Sequence, residues 1–418
     1  MKTRAFLSLI SVVGFFAAFP LIAFGSSGAD QTPLWLKLRA TTKFERSAIA
    51  ETGASIEITR DDYVIALGNE SQRAELEKMG VLDVSFAATP NMLDFPKSDS
   101  NFHNYEEMKT ELLALAAKYP NLAEVDSIGK SVEGRDIYRI RISGDLVNGA
   151  DHPAAIFMGG HHAREHLSME IPLMLAEKLL SAYATDPTIK TLVDNREIHI
   201  VPMVNPDGAE HDVDGGNYKM WRKNMSKNKD GTSGVDLNRN YGYGWGTGGS
   251  SKRGSDETYM GTAPFSEPET QAIKALVDKT VNANVLLSFH TFSELILYPW
   301  GGVYDPISDA KDLAVFQTMA KKMSTWNGYT PEQSSDLYIA SGDTTDWAYA
   351  EHKIFAFTFE LDPASMWDGG FYPGQKVIPG VFAKNLQACL YMIDLADNPY
   401  RATEAPAAAY GLTSPLIH

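Results

Sequence analysis

The chain has 418 residues, 44% of them hydrophobic and 22% charged, with Lys+Arg 37 against Asp+Glu 53 and a formal net charge of -16. Such a composition describes a folded, water-soluble chain rather than a disordered or fibrous one, and the acidic excess repels nucleic acid phosphates and anionic membranes. Nucleic acid is therefore excluded as a partner, and the single cysteine, Cys389, excludes an intrachain disulfide.

Residues 1–25 begin with Lys2 and Arg4, run apolar to Phe24 and close on Ala23-Phe24-Gly25 ahead of Ser26 and Ser27. This is the layout of an export signal; Pro20 and the small residues after it favour cleavage, so a membrane is a partner only if the leader stays uncleaved. Residues 26–93 form a small unit in which 34–39 and 63–67 read as strands and 71–79 as a polar helix, in the order strand, helix, strand, helix. Residues 87–96, with Pro90 and Pro96, read as a linker. Lying between an export signal and a catalytic set, the unit reads as a pro-segment, with activation cleavage expected within 87–97.

Residues 94–400 form the main domain. Residues 104–119 make an amphipathic helix stopped by Pro120, and 136–142 alternate as a half-buried strand. The runs 154–158, 198–204, 285–289, 295–298 and 355–359 are short and β-rich, several of them too apolar to face solvent. Helices separate them: 167–183 follows the first run, Ser266-Glu267-Pro268-Glu269 is a capping box opening a helix to about Thr280, and 377–396 closes the domain. The pattern predicts one mixed α/β sheet with helices on both faces. Residues 401–418, rich in Ala and Pro, are expected to form a flexible tail.

Chemistry gathers at the strand ends. His161-His162-Ala163-Arg164-Glu165-His166 bridges the end of the 154–158 run and the start of a helix, where an open α/β sheet leaves its ligand crevice. A histidine and a carboxylate three residues apart can share one zinc ion, although alone that spacing is common. Asn205, His290 and Glu360 stand at the ends of three other runs. With His290, a two-histidine, one-carboxylate set is available that leaves zinc a fourth position for water. The segment also fits the inverted protease motif H-x-x-E-H, in which His162 and His166 would both be ligands and Glu165 the base, provided the whole motif is helical.

With these motifs in order over about residues 94–401, the chain resembles the zinc carboxypeptidases of the carboxypeptidase A and B family, and within it the bacterial secreted branch typified by carboxypeptidase T. The resemblance implies a mostly eight-stranded mixed sheet preceded by a small α+β pro-segment, and a secreted, monomeric enzyme made as a proenzyme. It implies one zinc per chain on His162, Glu165 and His290, with His161 and His166 not ligands. Arg164 matches an arginine that contacts substrate, and Arg222, in Lys219-Met220-Trp221-Arg222, matches the oxyanion-stabilising arginine. Asn238 and Arg239, in Asp236-Leu237-Asn238-Arg239, match the grip on the substrate's terminal carboxylate. Tyr338 matches a mobile tyrosine that closes over substrate, with Gly328 and Gly342 bracketing it, and Glu360 matches the catalytic carboxylate.

Thr345 matches the position that separates apolar from basic preference in that family, and Asp343 lies two residues before it. The resemblance therefore implies removal of both apolar and basic C-terminal residues from peptides or proteins with a free C-terminus. Residues 143–149, with one acid, match the calcium-binding loop of the bacterial branch poorly and leave calcium dependence open. Two other functions share this fold or frame: hydrolysis of γ-linked cell-wall peptides, whose carboxylates could also meet Arg239, and a non-catalytic binding module, which would have lost a ligand or the base.

Overall fold

The computed structural model describes residues 33–87, 95, 99–148, 151–215 and 218–404. The export-signal reading, most of the linker and the tail beyond residue 404 lie outside them. Among the described residues no helix is long and apolar enough to cross a membrane.

The N-terminal unit is β1 (Leu34–Arg39), α1 (Lys43–Ala50), β2 (Ser55–Thr59), β3 (Tyr63–Gly68), α2 (Glu70–Lys78) and β4 (Leu82–Ala87). It has two strands more than the sequence pattern predicts, and its sheet order is β2-β3-β1-β4. Both helices begin with complete capping boxes, Thr42 with Glu45 and Asn69 with Gln72, which satisfy first-turn amides that would otherwise lack partners. Leu36, Leu38, Ile49, Val64, Ala66 and Leu76 close a small core of their own.

The main domain continues with α3 (Tyr105–Lys118), β5 (Ala123–Lys130), β6 (Asp136–Ile142), β7 (Ala154–Met158), α4 (Leu167–Ala182), α5 (Pro187–Asn195), β8 (Glu197–Val201) and α6 (Pro206–Val213). It ends with α7 (Pro268–Lys279), β9 (Ala283–Thr291), β10 (Leu295–Tyr298), α8 (Ala310–Asn327), β11 (Thr330–Gln333), α9 (Ser334–Leu337), α10 (Thr344–His352), β12 (Phe355–Leu361) and α11 (Ile378–Leu395). Its eight strands lie in the order β11-β10-β12-β9-β7-β8-β6-β5. The four central strands are parallel, and antiparallel pairings flank them.

Alternation along the central strands explains the helices on both faces. Ala155 and Phe157 of β7 enter the larger core, whereas Ala154, Ile156 and Met158 enter the second. Each strand is thus buried on both sides, as a near-continuous apolar run requires. The chain leaves β7 to one side for β8 and then crosses to β9 on the other side. That reversal leaves a crevice beyond the carboxyl ends of β7 and β9.

Three local expectations need correcting. β9 runs on to Thr291 and β12 to Leu361, with Glu360 paired in register beside His290, so both lie inside strands rather than after them. The ladder between neighbouring strands, not the end of the apolar run, sets those limits. The predicted capping box at Ser266 does not form: Glu267 is the N-cap without a side-chain cap bond, and Asn240 Oδ1 accepts from Glu267 N and Thr270 Oγ1 instead. Finally, β8 stops before Pro202, and Asn205 caps α6 through Gly208 N while its Nδ2 donates to the carbonyls of His161 and Lys223. Asn205 is a scaffold residue and does not line the cleft.

Candidate metal centre and active site

Gly159 lets the loop after β7 turn tightly beneath α4, because a Cβ there would sit 1.9 Å from the Ser168 carbonyl. Residues 161–166 then form an irregular turn, with α4 starting only at Leu167. The inverted motif needs a continuous helix and does not get one. His166 turns away to Asp212, with Nε2 2.9 Å from Oδ2, and Phe95 and Tyr372 pack around its ring.

His162 and Glu165 instead meet His290 of β9. His162 Nδ1 lies 2.7 Å from Glu165 Oε1 and 3.1 Å from His290 Nδ1, and His290 Nδ1 lies 3.0 Å from Glu165 Oε2. All three side chains are buried, and together they form the group able to hold a metal ion among the described residues. Asp236 Oδ1 sits 3.1 Å from His162 Nε2, which places the ring proton on that nitrogen and turns the Nδ1 lone pair toward Glu165. Two ring nitrogens and a carboxylate thus converge with lone pairs facing one another. A divalent cation shared by all three resolves that repulsion, and nitrogen with carboxylate donors suits zinc.

The charge states agree with that fit. Burial works to raise the Glu165 pKa, but the positive charge that His162 and His290 can carry outweighs it and lowers it, and a cation held between the three would act on the carboxyl in the same direction. Burial lowers His290, favouring the neutral ring that a metal needs.

Around this centre lies a cleft of ≈ 780 Å³ whose lining includes Arg222, Asn238, Arg239, Tyr338, Asp343, Thr345 and Glu360. Arg222 reaches it from the loop after α6, pinned by Asp236 Oδ2, which is 3.0 Å from both Nε and Nη2. Burial opposes its charge, yet the carboxylates of Asp236, Glu57 and Glu165 keep it firmly protonated. Asp236 thereby ties a metal-facing histidine to Arg222. The sequence predicts no task for Asp236, whose only signal there is its place two residues before Asn238.

Asn238 and Arg239 lie in the short 3-10 turn Leu237–Arg239, started by Asp236 accepting from Asn238 N. Arg239 is held by its own segment, with Nε donating to Gly249 O and Nη1 to Asn238 O. Gly342 packs on this turn at φ +76, where a Cβ would meet the Arg239 carbonyl at 2.6 Å. That glycine has a packing task, and Gly328 is the left-handed C-cap of α8, so neither serves simply as a hinge for Tyr338.

Glu360 stands beside His290, and burial, followed by repulsion from Glu165 and Glu57, pushes its pKa well above the ordinary carboxylate value. Asp343 caps α10 with Oδ1, accepting from Thr345 N, Thr345 Oγ1 and Asp346 N. Burial, followed by repulsion from Asp343, pushes the Asp346 pKa well above the usual carboxylate range, against the Gly301 and Gly302 amides that donate to it. Asp343 Oδ2 is buried with no hydrogen-bond partner. Asp145, in the segment compared with a calcium loop, accepts from Val147 N, Asn148 N and Asn148 Nδ2 of its own turn.

Arg164 is fully buried between Glu57 of β2 and Glu257, and its guanidinium lies over Phe371. Ile56, Glu57 and Thr59 line the cleft, and Tyr338 Oη donates to the Ile56 carbonyl. Glu57 is not among the residues expected at the site, because its partner Arg164 lies more than a hundred residues away in sequence.

A family model described as zinc carboxypeptidase, peptidase M14, matches residues 108–388. The chain belongs to the zinc carboxypeptidase family. It is 35% identical over 386 residues to the zinc carboxypeptidase of Saccharothrix mutabilis subsp. capreolus, covering 86% of this chain and 88% of that one. It is 32% identical over 288 residues to carboxypeptidase B of Astacus astacus, covering 67% and 92%. The fold matches the solved carboxypeptidase A of Helicoverpa armigera with a TM-score of 0.73 at 24% identity, covering 90% of this chain and 98% of the other. The enzyme is thus a zinc-dependent exopeptidase of peptides with a free C-terminus, and zinc is its cofactor.

Proposed function

We propose that the protein is exported as a proenzyme and, once residues 26–93 are removed, releases both apolar and basic C-terminal residues from peptides. His162, Glu165 and His290 hold the zinc, which when bound supplies Lewis acidity at the scissile carbonyl and at the attacking water. Glu360 takes the proton from that water and delivers it to the leaving amine. Arg222, fixed by Asp236, donates to the developing oxyanion. Arg239 and Asn238 bind the terminal carboxylate, Tyr338 closes over the bound residue, and Arg164 receives the substrate upstream of the scissile bond.

One observation carries this reading: His162 and Glu165, with His290 in contact behind them, share a single cleft with Glu360, Arg222, Asn238 and Arg239, so the groups for attack and for carboxylate recognition face the same space. Breadth of specificity rests on the small Thr345 beside the Asp343 carboxylate, both lining the cleft. An apolar side chain meets a small neutral wall, and a basic one finds a counter-charge.

The proenzyme reading rests on Glu57, whose carboxylate is 2.8 Å from Arg164 and occupies the place proposed for substrate. Trp35, Ile58, Ile65 and Leu67 of the N-terminal unit form one apolar cluster with Met220, Phe292 and Phe371 of the main domain. Export rests on the composition of residues 1–25 and monomeric action on the completeness of the site within one chain.

The deciding experiment compares blocked tripeptides with free and amidated C-termini, with and without a zinc chelator, before and after limited proteolysis within residues 87–97. Cleavage is expected only of free C-termini, only with zinc, and faster after proteolysis, for C-terminal Leu and Lys alike. Cleavage of the amides would remove the carboxylate grip, and full activity of the unprocessed chain would remove the proenzyme reading.

A further inference from the structure

The proposed carboxylate grip contains a side chain whose chemistry depends on which way it faces. An asparagine amide carries an acceptor at one end and donors at the other, and the two ends have almost the same shape. Asn238 can help hold a substrate carboxylate only with Nδ2 toward the cleft. The opposite orientation would set Oδ1 against the carboxylate.

Two bonds from Thr344, the first residue of α10, act on that choice. Thr344 N lies 3.0 Å from Asn238 Oδ1, and Thr344 Oγ1 lies 2.9 Å from the same oxygen. A backbone N–H can only donate, so the atom it meets must be the oxygen, and Nδ2 is left on the other side. The amide of Thr344 is available because the helix's own N-cap is otherwise engaged: Asp343 Oδ1 serves Thr345 N and Asp346 N. Thr344 Oγ1 has one proton and gives it to Asn238 Oδ1. Its lone pairs face His161 Nε2 at 3.2 Å, which is also 2.8 Å from Tyr241 Oη. Thr344, His161 and Tyr241 are all buried, and with the His161 proton on Nε2 the hydroxyl accepts from that ring and gives its own proton to Asn238 Oδ1.

We propose that Thr344 is a positioning residue for C-terminal recognition, locking the Asn238 amide with its donor end turned to the substrate carboxylate. The proposal rests on the reading of Asn238 as part of that grip. Because the carboxylate is held alike in the ground and transition states, loosening the amide weakens both equally and appears in KM rather than in kcat.

The test uses zinc-loaded enzyme prepared from the full-length chain, with blocked tripeptides bearing a free C-terminus. Thr344→Val keeps the shape and the backbone N–H but removes the hydroxyl, and it should raise KM by about fivefold with kcat within about twofold. Thr344→Ser restores the hydroxyl and should return KM to within about twofold of the parent. In an Asn238→Ala background, Thr344→Val should add nothing, because the amide it orients is gone. Should the valine variant fail to fold, Thr344→Ala is read in the same way.

An unchanged KM for Thr344→Val beside a raised KM for Asn238→Ala overturns the positioning role and leaves the grip standing. Additive effects in the double variant, or a loss confined to kcat, also overturn it. An unchanged KM for Asn238→Ala overturns the grip itself, and the role of Thr344 with it.

Discussion

Replacing Asp236 by alanine should loosen a metal-facing histidine and the oxyanion arginine in one step. Its carboxylate meets His162 Nε2 at 3.1 Å with one oxygen and Arg222 Nε and Nη2 at 3.0 Å with the other, and it starts the Asn238 turn. Without it, the His162 ring loses the partner that fixes its tautomer, which in comparable sites lowers metal affinity by about 10- to 100-fold. Arg222, only 5% exposed, keeps just the longer contact to Glu165 at 3.9 Å. Removing one partner of a buried ion pair costs about 3–5 kcal/mol, and that remaining contact puts the cost near ~3 kcal/mol. Zinc affinity is measured by competition with a chromogenic chelator, and stability by denaturant unfolding of the full-length chain. Asp236→Asn is the informative control: one oxygen can still accept from His162, but the new amide sets its donors against Arg222, so zinc loss should be smaller than for alanine while stability still falls. Zinc affinity within twofold of the parent in Asp236→Ala would refute the idea that this carboxylate orients His162.

Three further outcomes follow from the geometry. Glu360→Gln should bind one zinc per chain and lose about 10³-fold in turnover, since it keeps the shape but cannot carry a proton; near-normal turnover with full zinc would remove Glu360 from the reaction. Asp343→Asn should reduce kcat/KM for C-terminal Lys and Arg by about 10-fold or more while sparing Leu and Phe, and a panel in which both classes change together would show that the carboxylate does not select. Glu332 is pushed up from 4.5 to about 7, first by burial and then by Asp336, so the folded chain binds its proton more tightly than the unfolded one. The stability it contributes is complete below about pH 4.5 and is lost as pH rises through 7. Glu332→Gln should therefore match the parent near pH 4.5 and exceed it by ~2 kcal/mol at pH 8, as read by chemical unfolding; parallel stability curves would contradict the assignment.

The sequence was most legible where a residue's environment depends on its near neighbours. Alternation and apolar runs located β1, β6, β7 and β10 with the bounds that the structure has, because burial on one or both faces dictates residue type along a strand. It was least legible where a partner comes from far along the chain. The short edge strand Thr330–Gln333, which contains a proline, is not among the predicted runs, yet it pairs with β10 at the sheet edge, where a missing N–H is tolerated. Ser266 looked like the N-cap of a capping box closed by Glu269, but the helix starts one residue later at Glu267, and Asn240 supplies the acceptor.

For the site, residue types and motif order brought forward His162, Glu165, His290, Arg222, Asn238, Arg239 and Glu360; the structure lines one cleft with six of them and sets His290 against His162 and Glu165. Sequence alone left His166 as a rival ligand. The tertiary structure decided against it because the turn at residues 161–166 is not helical and Asp212 holds that ring elsewhere. Sequence likewise had no means to find Asp236, Glu57 or Thr344 as partners. Their roles consist of hydrogen bonds and ion pairs, which depend on distances of about 3 Å between atoms that only chain folding brings together. What the amino-acid order determined was which side chains are chemically able to bind zinc, move a proton and grip a carboxylate. What the fold decided was their direction: which nitrogen of His162 faces the metal, which end of Asn238 faces the substrate, and which carboxylate covers Arg164.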